Sequence, residues 1–279
     1  MIIWGASYPK SGNTWVRAFL TSYYYTKDGS YDPKQLIQIP DYPNPKILGK
    51  KFIKDNTVHL YWGESQKKLI RDNKVVFLKT HNALLTIGNY PFTTPEYTCG
   101  VIYIVRDPRN VITSLKNHMD FNSYDDALSF MKDKNIILTN REKVFSRNQF
   151  LSSWRINYTS WTKMNKFKKL VIKYEDMLKK PEETFKQLIS FTNFLSNHQR
   201  YIDLNKFKKA LATTSFENMK KSEVEGKFIE NVNSPLNNLK REFFHLGPKN
   251  DWKKMLDSKI LDKMNEYYSE DLKKLGYEY

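Results

Sequence analysis

The first twenty residues constrain this chain more than any other stretch. Ile2-Ile3-Trp4-Gly5-Ala6-Ser7 is an apolar run of strand length, and Val16-Arg17-Ala18-Phe19-Leu20 has the apolar spacing of a buried helix. Between them lies Tyr8-Pro9-Lys10-Ser11-Gly12-Asn13-Thr14-Trp15, a tight loop with a lysine and a glycine. Strand, loop and helix in this order make a phosphate cradle. Backbone N–H groups of the loop and of the first helical turn point at one spot, and the helix dipole favours an anion there. Lys10 adds a full positive charge that can follow a phosphate. The loop is P-loop-like but is not a Walker A loop, since Pro9 stands where that pattern has the glycine before its lysine. Alone it does not say which phosphate it holds.

Further along, Val75–Leu78, Gly100–Val105 and Leu170–Tyr174 are continuous apolar runs that suit strands buried on both faces. Helical patterns fall between them, over 64–72, 124–134 and 148–166, from Pro108 toward His118, and onward from Pro181. Asp107-Pro108 opens its helix with an N-cap and a proline at the first helical position. Residues 204–221 and 256–275 read as two more helices, and Trp154 and Trp161 as core. Residues 27–54 are irregular, with Asp41–Pro45 a surface loop, and 222–240 is a polar, mobile loop. Strands alternating with helices predict an α/β fold, a central parallel sheet flanked by helices. No linker or internal repeat divides the chain, so residues 1–279 read as one domain. In such sheets ligands bind at the carboxyl ends of the strands. Those ends carry the first loop, Lys79-Thr80-His81, Arg106-Asp107 and Tyr174-Glu175-Asp176.

The net charge of +16 invites a nucleic-acid reading, but only nine of the 46 basic residues are Arg and the lysines are scattered. One cysteine, Cys99, excludes an intrachain disulfide, and no apolar run is long enough for a membrane span. A cytoplasmic protein is the expectation. The five histidines show no metal-ligand spacing, so no metal is expected.

Several motifs together resemble the sulfotransferases that use 3′-phosphoadenosine 5′-phosphosulfate (PAPS) and release adenosine 3′,5′-bisphosphate (PAP). Tyr8 to Trp15 is similar to the family's 5′-phosphosulfate loop, with Asn13 where Thr is more usual. Lys79-Thr80-His81 resembles the motif carrying its catalytic histidine, and Val105 to Ser114 its 3′-phosphate motif. Ser153-Trp154 with Trp161, Tyr174-Glu175-Asp176-Met177, Thr214-Ser215-Phe216-Glu217 and Gly247 to Lys253 follow in the family's order, so the likeness spans nearly the whole chain. Two departures stand out. His245-Leu246 precede Gly247 where the family has Arg-Lys, leaving Lys240 or Arg241 as candidate substitutes, and Lys253 to Ser258 lacks the family's dimerisation motif.

The resemblance implies sulfuryl transfer to an acceptor hydroxyl. It assigns His81 as general base, Lys10 to the leaving phosphate oxygen and Lys79 to the sulfuryl oxygens. Lys10, Ser11, Gly12, Asn13, Thr14 and Trp15 would hold the 5′ end, and Arg106 with Ser114 the 3′-phosphate. Tyr174, Thr214, Phe216 and Gly247 would complete the nucleotide site. The acceptor would be a small molecule or a glycan, chosen by residues 31–62, 117–147 and the stretch after Ser222. Two other readings are a P-loop-like kinase using Mg-ATP, with Asp107 as the metal-binding acid, and a basic nucleic-acid-binding protein without catalysis.

Overall fold

The computed structural model describes residues 1–49, 57–70, 74–139, 147–197, 201–230, 232–233 and 240–278. Four parallel strands form the centre: β1 (Ile2–Ser7), β2 (Val76–Thr80), β5 (Thr98–Val105) and β8 (Lys168–Lys173), in the order β2-β1-β5-β8. Three short antiparallel pairs lie outside that sheet: β3 (Thr86–Ile87) with β4 (Tyr90–Pro91), β6 (Ile137–Leu138) with β7 (Gln149–Phe150), and β9 (Val232–Asn233) with β10 (Lys240–Arg241). The expected α/β architecture is what forms.

Alternation along the strands sorts the core into two layers. Ile2, Trp4, Ala6, Leu78, Val101, Tyr103 and Val105 face α4 (Pro108–Met119), α6 (Trp154–Thr162) and α12 (Ser258–Leu275). Ile3, Phe77, Ile102, Ile104 and Ile172 face α1 (Asn13–Tyr25), α7 (Tyr174–Lys179), α8 (Pro181–Ser196) and α9 (Leu204–Thr213). Trp154 and Trp161 are fully buried in the first layer. The register pairs Ala6 with Thr80 and Ser7 with Ile104, so the carboxyl ends of β1, β2 and β5 lie side by side.

Several boundaries differ from the sequence expectation. The single helix over 148–166 becomes β7, a turn and α6. Ser152 takes a left-handed φ of 58°, and the Ser153 hydroxyl accepts from the Ile156 N–H to cap α6. The helix over 204–221 divides into α9 and α10 (Phe216–Val224), because the Ser215 hydroxyl accepts the Asn218 N–H and starts a new helix. Tyr174 begins α7 instead of ending the strand. Asp41–Pro45 is no surface loop. Lys79 N–H donates to Pro40 and Tyr42 N–H to Lys79, which lays this segment along the outer edge of β2 and buries Tyr42. Residues 45–48 then form a short helix, α2. Within the stretch read as a polar loop, Phe228 is buried and β9 pairs with β10; residues 231 and 234–239 lie outside the described ones, as does His198. No described helix is long and apolar enough to cross a membrane.

Candidate active site

The cradle forms where β1 hands over to α1. Lys10 and Gly12 both take left-handed φ values, 65° and 97°. Gly12 is required there, because a Cβ would stand 2.5 Å from Tyr174 Cδ2 and 3.0 Å from Met177 Cε. Helix α1 begins with no side-chain cap and no acid in its first turn. No side chain among the described residues therefore takes the Asn13 and Thr14 N–H groups as a cap, while the Trp15 N–H donates to the Gly12 carbonyl at 3.1 Å. By contrast, Asp107 caps α4 and Ser153 caps α6. The Asn13 amide donates to the Gly5 carbonyl at 3.0 Å and to Ser7 Oγ at 3.1 Å, bracing the loop against β1. Lys10 Nζ sits 3.5 Å from the Phe243 carbonyl and 4.5 Å from the centroid of its ring. Burial, and next the nearby Arg106 charge, bring the Lys10 pKa down to about 8.

Arg106 leaves the end of β5 and donates to the Lys10 carbonyl at 2.9 Å, with its guanidinium 4.1 Å from the centre of the Tyr174 ring. Spacing alone does not bring Ser114 to it, since seven helical residues rise about 10 Å. In the fold, Arg106 and Ser114 line one cavity of about 1320 Å³ together with Lys10, Gly12 to Trp15, Lys79, His81, Tyr174, Phe216 and Gly247. The C-terminal segment is docked onto α4 by three hydrogen bonds. Thr113 Oγ1 donates to Asn250 Oδ1 at 2.7 Å, Asn250 Nδ2 to the Asn110 carbonyl at 2.8 Å, and Trp252 N–H to Asn110 Oδ1 at 3.0 Å. That docking sets Gly247 against Phe216, so closely that a Cβ would lie 2.2 Å from the ring. His245 also lines the cavity, 3.5 Å from Glu242, while Lys240 and Arg241 supply backbone to β10. Thr214 is placed elsewhere: it is buried and its hydroxyl donates to the Ala210 carbonyl at 2.7 Å.

A bisphosphate-type ligand fits what this cavity offers. Ser11 Oγ, Trp15 Nε1 and Arg106 Nε are buried donors with no hydrogen-bond partner among the described residues, and all three belong to the cradle and the strand end beside it. Buried donors left unsatisfied cost stability, and these three are available to a polar ligand bound at the cradle.

At the end of β2, His81 Nδ1 lies 2.7 Å from the Ser7 carbonyl oxygen. A carbonyl only accepts, so Nδ1 carries the proton and Nε2 keeps the free lone pair. The backbone of His81 is held on both sides: its N–H donates to Gln149 Oε1 at 2.5 Å, and Asn157 Nδ2 donates to its carbonyl at 2.9 Å. Asn157 is itself fixed by the Tyr103 hydroxyl at 2.7 Å. Burial first, and the Lys79 charge second, lower the His81 pKa to about 3, so the ring is neutral at physiological pH. Lys79 Nζ is 3.0 Å from Asp41 Oδ1. Burial pushes the Asp41 pKa up, but the Lys79 and Arg17 charges outweigh it and hold the carboxyl at about 2.

Four residues of this site carry no motif signal. Asp41 enters through the edge pairing of 40–42 and Gln149 through β7. Glu230 reaches back to Arg17 at 2.5 Å and to Thr14 at 3.4 Å. Phe243 is positioned by Glu223, whose two carboxylate oxygens accept the N–H groups of Phe243 and Phe244 at 2.5 and 3.0 Å. A carboxylate two residues before a Pro-rich segment, or after a helix, looks like any surface charge until the fold turns it inward.

The acid a kinase would need is already committed. Asp107 caps α4 and accepts from the buried Arg109 guanidinium at 2.8 and 3.0 Å. Among the described residues no group of three or more His, Cys, Asp or Glu is placed to hold a metal ion.

Comparison with known proteins agrees with this geometry. The sulfotransferase domain family matches residues 2–276. Cytosolic sulfotransferase 13 of Arabidopsis thaliana is 21% identical over 275 residues, which cover 96% of this chain and 75% of that protein. Among solved structures, mouse sulfotransferase SULT7A1 complexed with PAP superposes with a TM-score of 0.60 at 19% identity, over 96% of this chain and 83% of its own. Retinol dehydratase in complex with androsterone and PAP gives 0.57 at 16%, over 98% and 80%. The family match runs through every strand end that builds the cavity, and the chain belongs to the sulfotransferase domain family as a PAPS-dependent sulfotransferase.

Proposed function

We propose that this protein moves the sulfuryl group of PAPS to a hydroxyl of a small molecule, with His81 as general base. PAPS supplies the sulfuryl group and departs as PAP. The rest falls to the chain's own residues. The N–H groups of α1 and Lys10 hold the 5′ end, and Arg106 with Ser114 the 3′-phosphate. His81 Nε2 takes the acceptor proton as the new O–S bond forms and the bond to the bisphosphate breaks. Lys10 meets the charge that develops on the leaving phosphate oxygen, and Lys79 the sulfuryl oxygens. Residues 1–279 act as one domain, in the cytoplasm.

The observation that carries this reading is the His81 tautomer. A neutral imidazole with Nδ1–H fixed on the Ser7 carbonyl presents a lone pair to the same cavity that the cradle and Arg106 line. Small-molecule acceptors are supported by the androsterone and retinol in the complexes of retinol dehydratase. The test is His81→Ala. Turnover should fall at least about a hundredfold, the scale of lost general-base catalysis, while calorimetric binding of PAP stays near normal. Equal loss of both would make His81 a structural residue. In the same instrument PAP should bind and Mg-ATP should not; the reverse would restore the kinase reading.

A further inference from the structure

The acceptor end of the cavity has a charge pattern that the donor does not account for. Arg17 is paired with Glu230 at 2.5 Å and Lys79 with Asp41 at 3.0 Å, so both carboxylates on that side are neutralised within the protein. Lys10 and Arg106 belong to the cradle. That leaves two cations lining the cavity, Lys46 and Arg147, and neither has an acidic partner among the described residues.

The fold brings these two to one wall. Lys46 lies on α2, and Arg147 leads into β7. Phe150 of β7 packs on the buried pair Leu48 and Val58, which ties that strand to α2. The same wall reaches the reacting centre, because Gln149 holds the His81 N–H and Leu138 pairs with Gln149. Around the two cations the lining mixes apolar Pro43, Pro45, Ile47 and Leu138 with polar Asn44 and Thr139. Both cations are exposed and, among the described residues, can reach a ligand without first breaking an internal ion pair.

We infer that the acceptor is an apolar alcohol or phenol that carries its own carboxylate. The hydroxyl lies at His81, the apolar body against the prolines, Ile47 and Leu138, and the carboxylate at Lys46 and Arg147. An arginine fork matches a planar carboxylate, with Lys46 as a second cation on the same wall. The inference rests on the sulfotransferase reading above and narrows its acceptor.

The test is binding of matched acceptor pairs to the protein saturated with PAP, followed by calorimetry. One pair is 3-(4-hydroxyphenyl)propionate and 4-propylphenol; the other is 8-hydroxyoctanoate and 1,8-octanediol. In at least one pair the acid should bind about tenfold tighter or better, the scale of one charge-assisted hydrogen bond. That preference should vanish in the double variant Lys46→Gln, Arg147→Gln, with PAP affinity unchanged. Neutral members binding as well as the acids, no binding by either acid, or a preference that survives the double variant would each overturn the inference. Failure of PAP itself to bind is a separate result, which removes the donor reading and the acceptor inference with it.

Discussion

His81 and Lys10 are both less basic than their free counterparts, and each shift has a measurable consequence. PAP is an anion, so a cradle that includes Lys10 should bind it with that lysine protonated. With the Lys10 pKa near 8, affinity for PAP should weaken as pH rises above about 8, by up to tenfold per unit. Lys10→Met should bind more weakly at pH 7 and lose that slope; titrations at pH 7, 8 and 9 read both. For His81 the sign runs toward acid. Its folded pKa of about 3 lies below the unfolded value near 6.5, so between those limits the unfolded chain holds more protons. Stability should fall as pH drops from about 6.5 toward 3, and His81→Gln should flatten part of that fall in urea titrations. That Lys10, His81 and Arg106 meet at one cavity was legible from motif order. The pKa shifts were not, because they come from burial and from Lys79 and Arg106 as neighbours, which no local pattern contains.

Among the elements, the start of α1 lines the cavity with five residues, Gly12, Asn13, Thr14, Trp15 and Arg17. Gly12→Ala forces a methyl group into the Tyr174 ring at a left-handed φ, so it should weaken PAP binding more than a hundredfold and lower the melting temperature. Ser153→Ala removes the cap of α6 and should cost about 1 kcal/mol in chemical denaturation. The strands β1, β2 and β5 were legible because strands buried on both faces are continuous apolar runs. The start of α6 and the break between α9 and α10 were not. Serine caps set those boundaries, and a serine within a helical pattern has no distinctive composition. The segment 40–45 was misjudged for a related reason: its polar and proline content suits a loop, while its backbone pairs with β2.

For the molecule as a whole, ligand binding should act as a global clamp. The cavity is lined by the first loop, the ends of β2 and β5, α4, α10 and the C-terminal segment, so a ligand that fills it would touch parts of the chain far apart in sequence. At about a hundred times its dissociation constant, PAP should add about 2.7 kcal/mol of stability, visible as a raised melting temperature. Mg-ATP should produce no comparable shift. The meeting of Arg106, Ser114 and Gly247 was legible only through the family's motif order, since it depends on Asn250 and Trp252 docking onto α4.

A parallel sheet has two open edges, each a template for unwanted pairing with another chain. On one side β8 is blunted by Lys168, Lys169 and Lys173. On the other, the outer edge of β2 is covered by residues 40–42, the same segment that carries Asp41 to Lys79. Protection of the sheet edge and the Asp41–Lys79 pair therefore depend on one short piece of backbone. An insertion there, or a proline at position 42, whose N–H donates to Lys79, would unpeel the cover and expose the sheet. This edge should thus tolerate changes of side chain far better than changes of length.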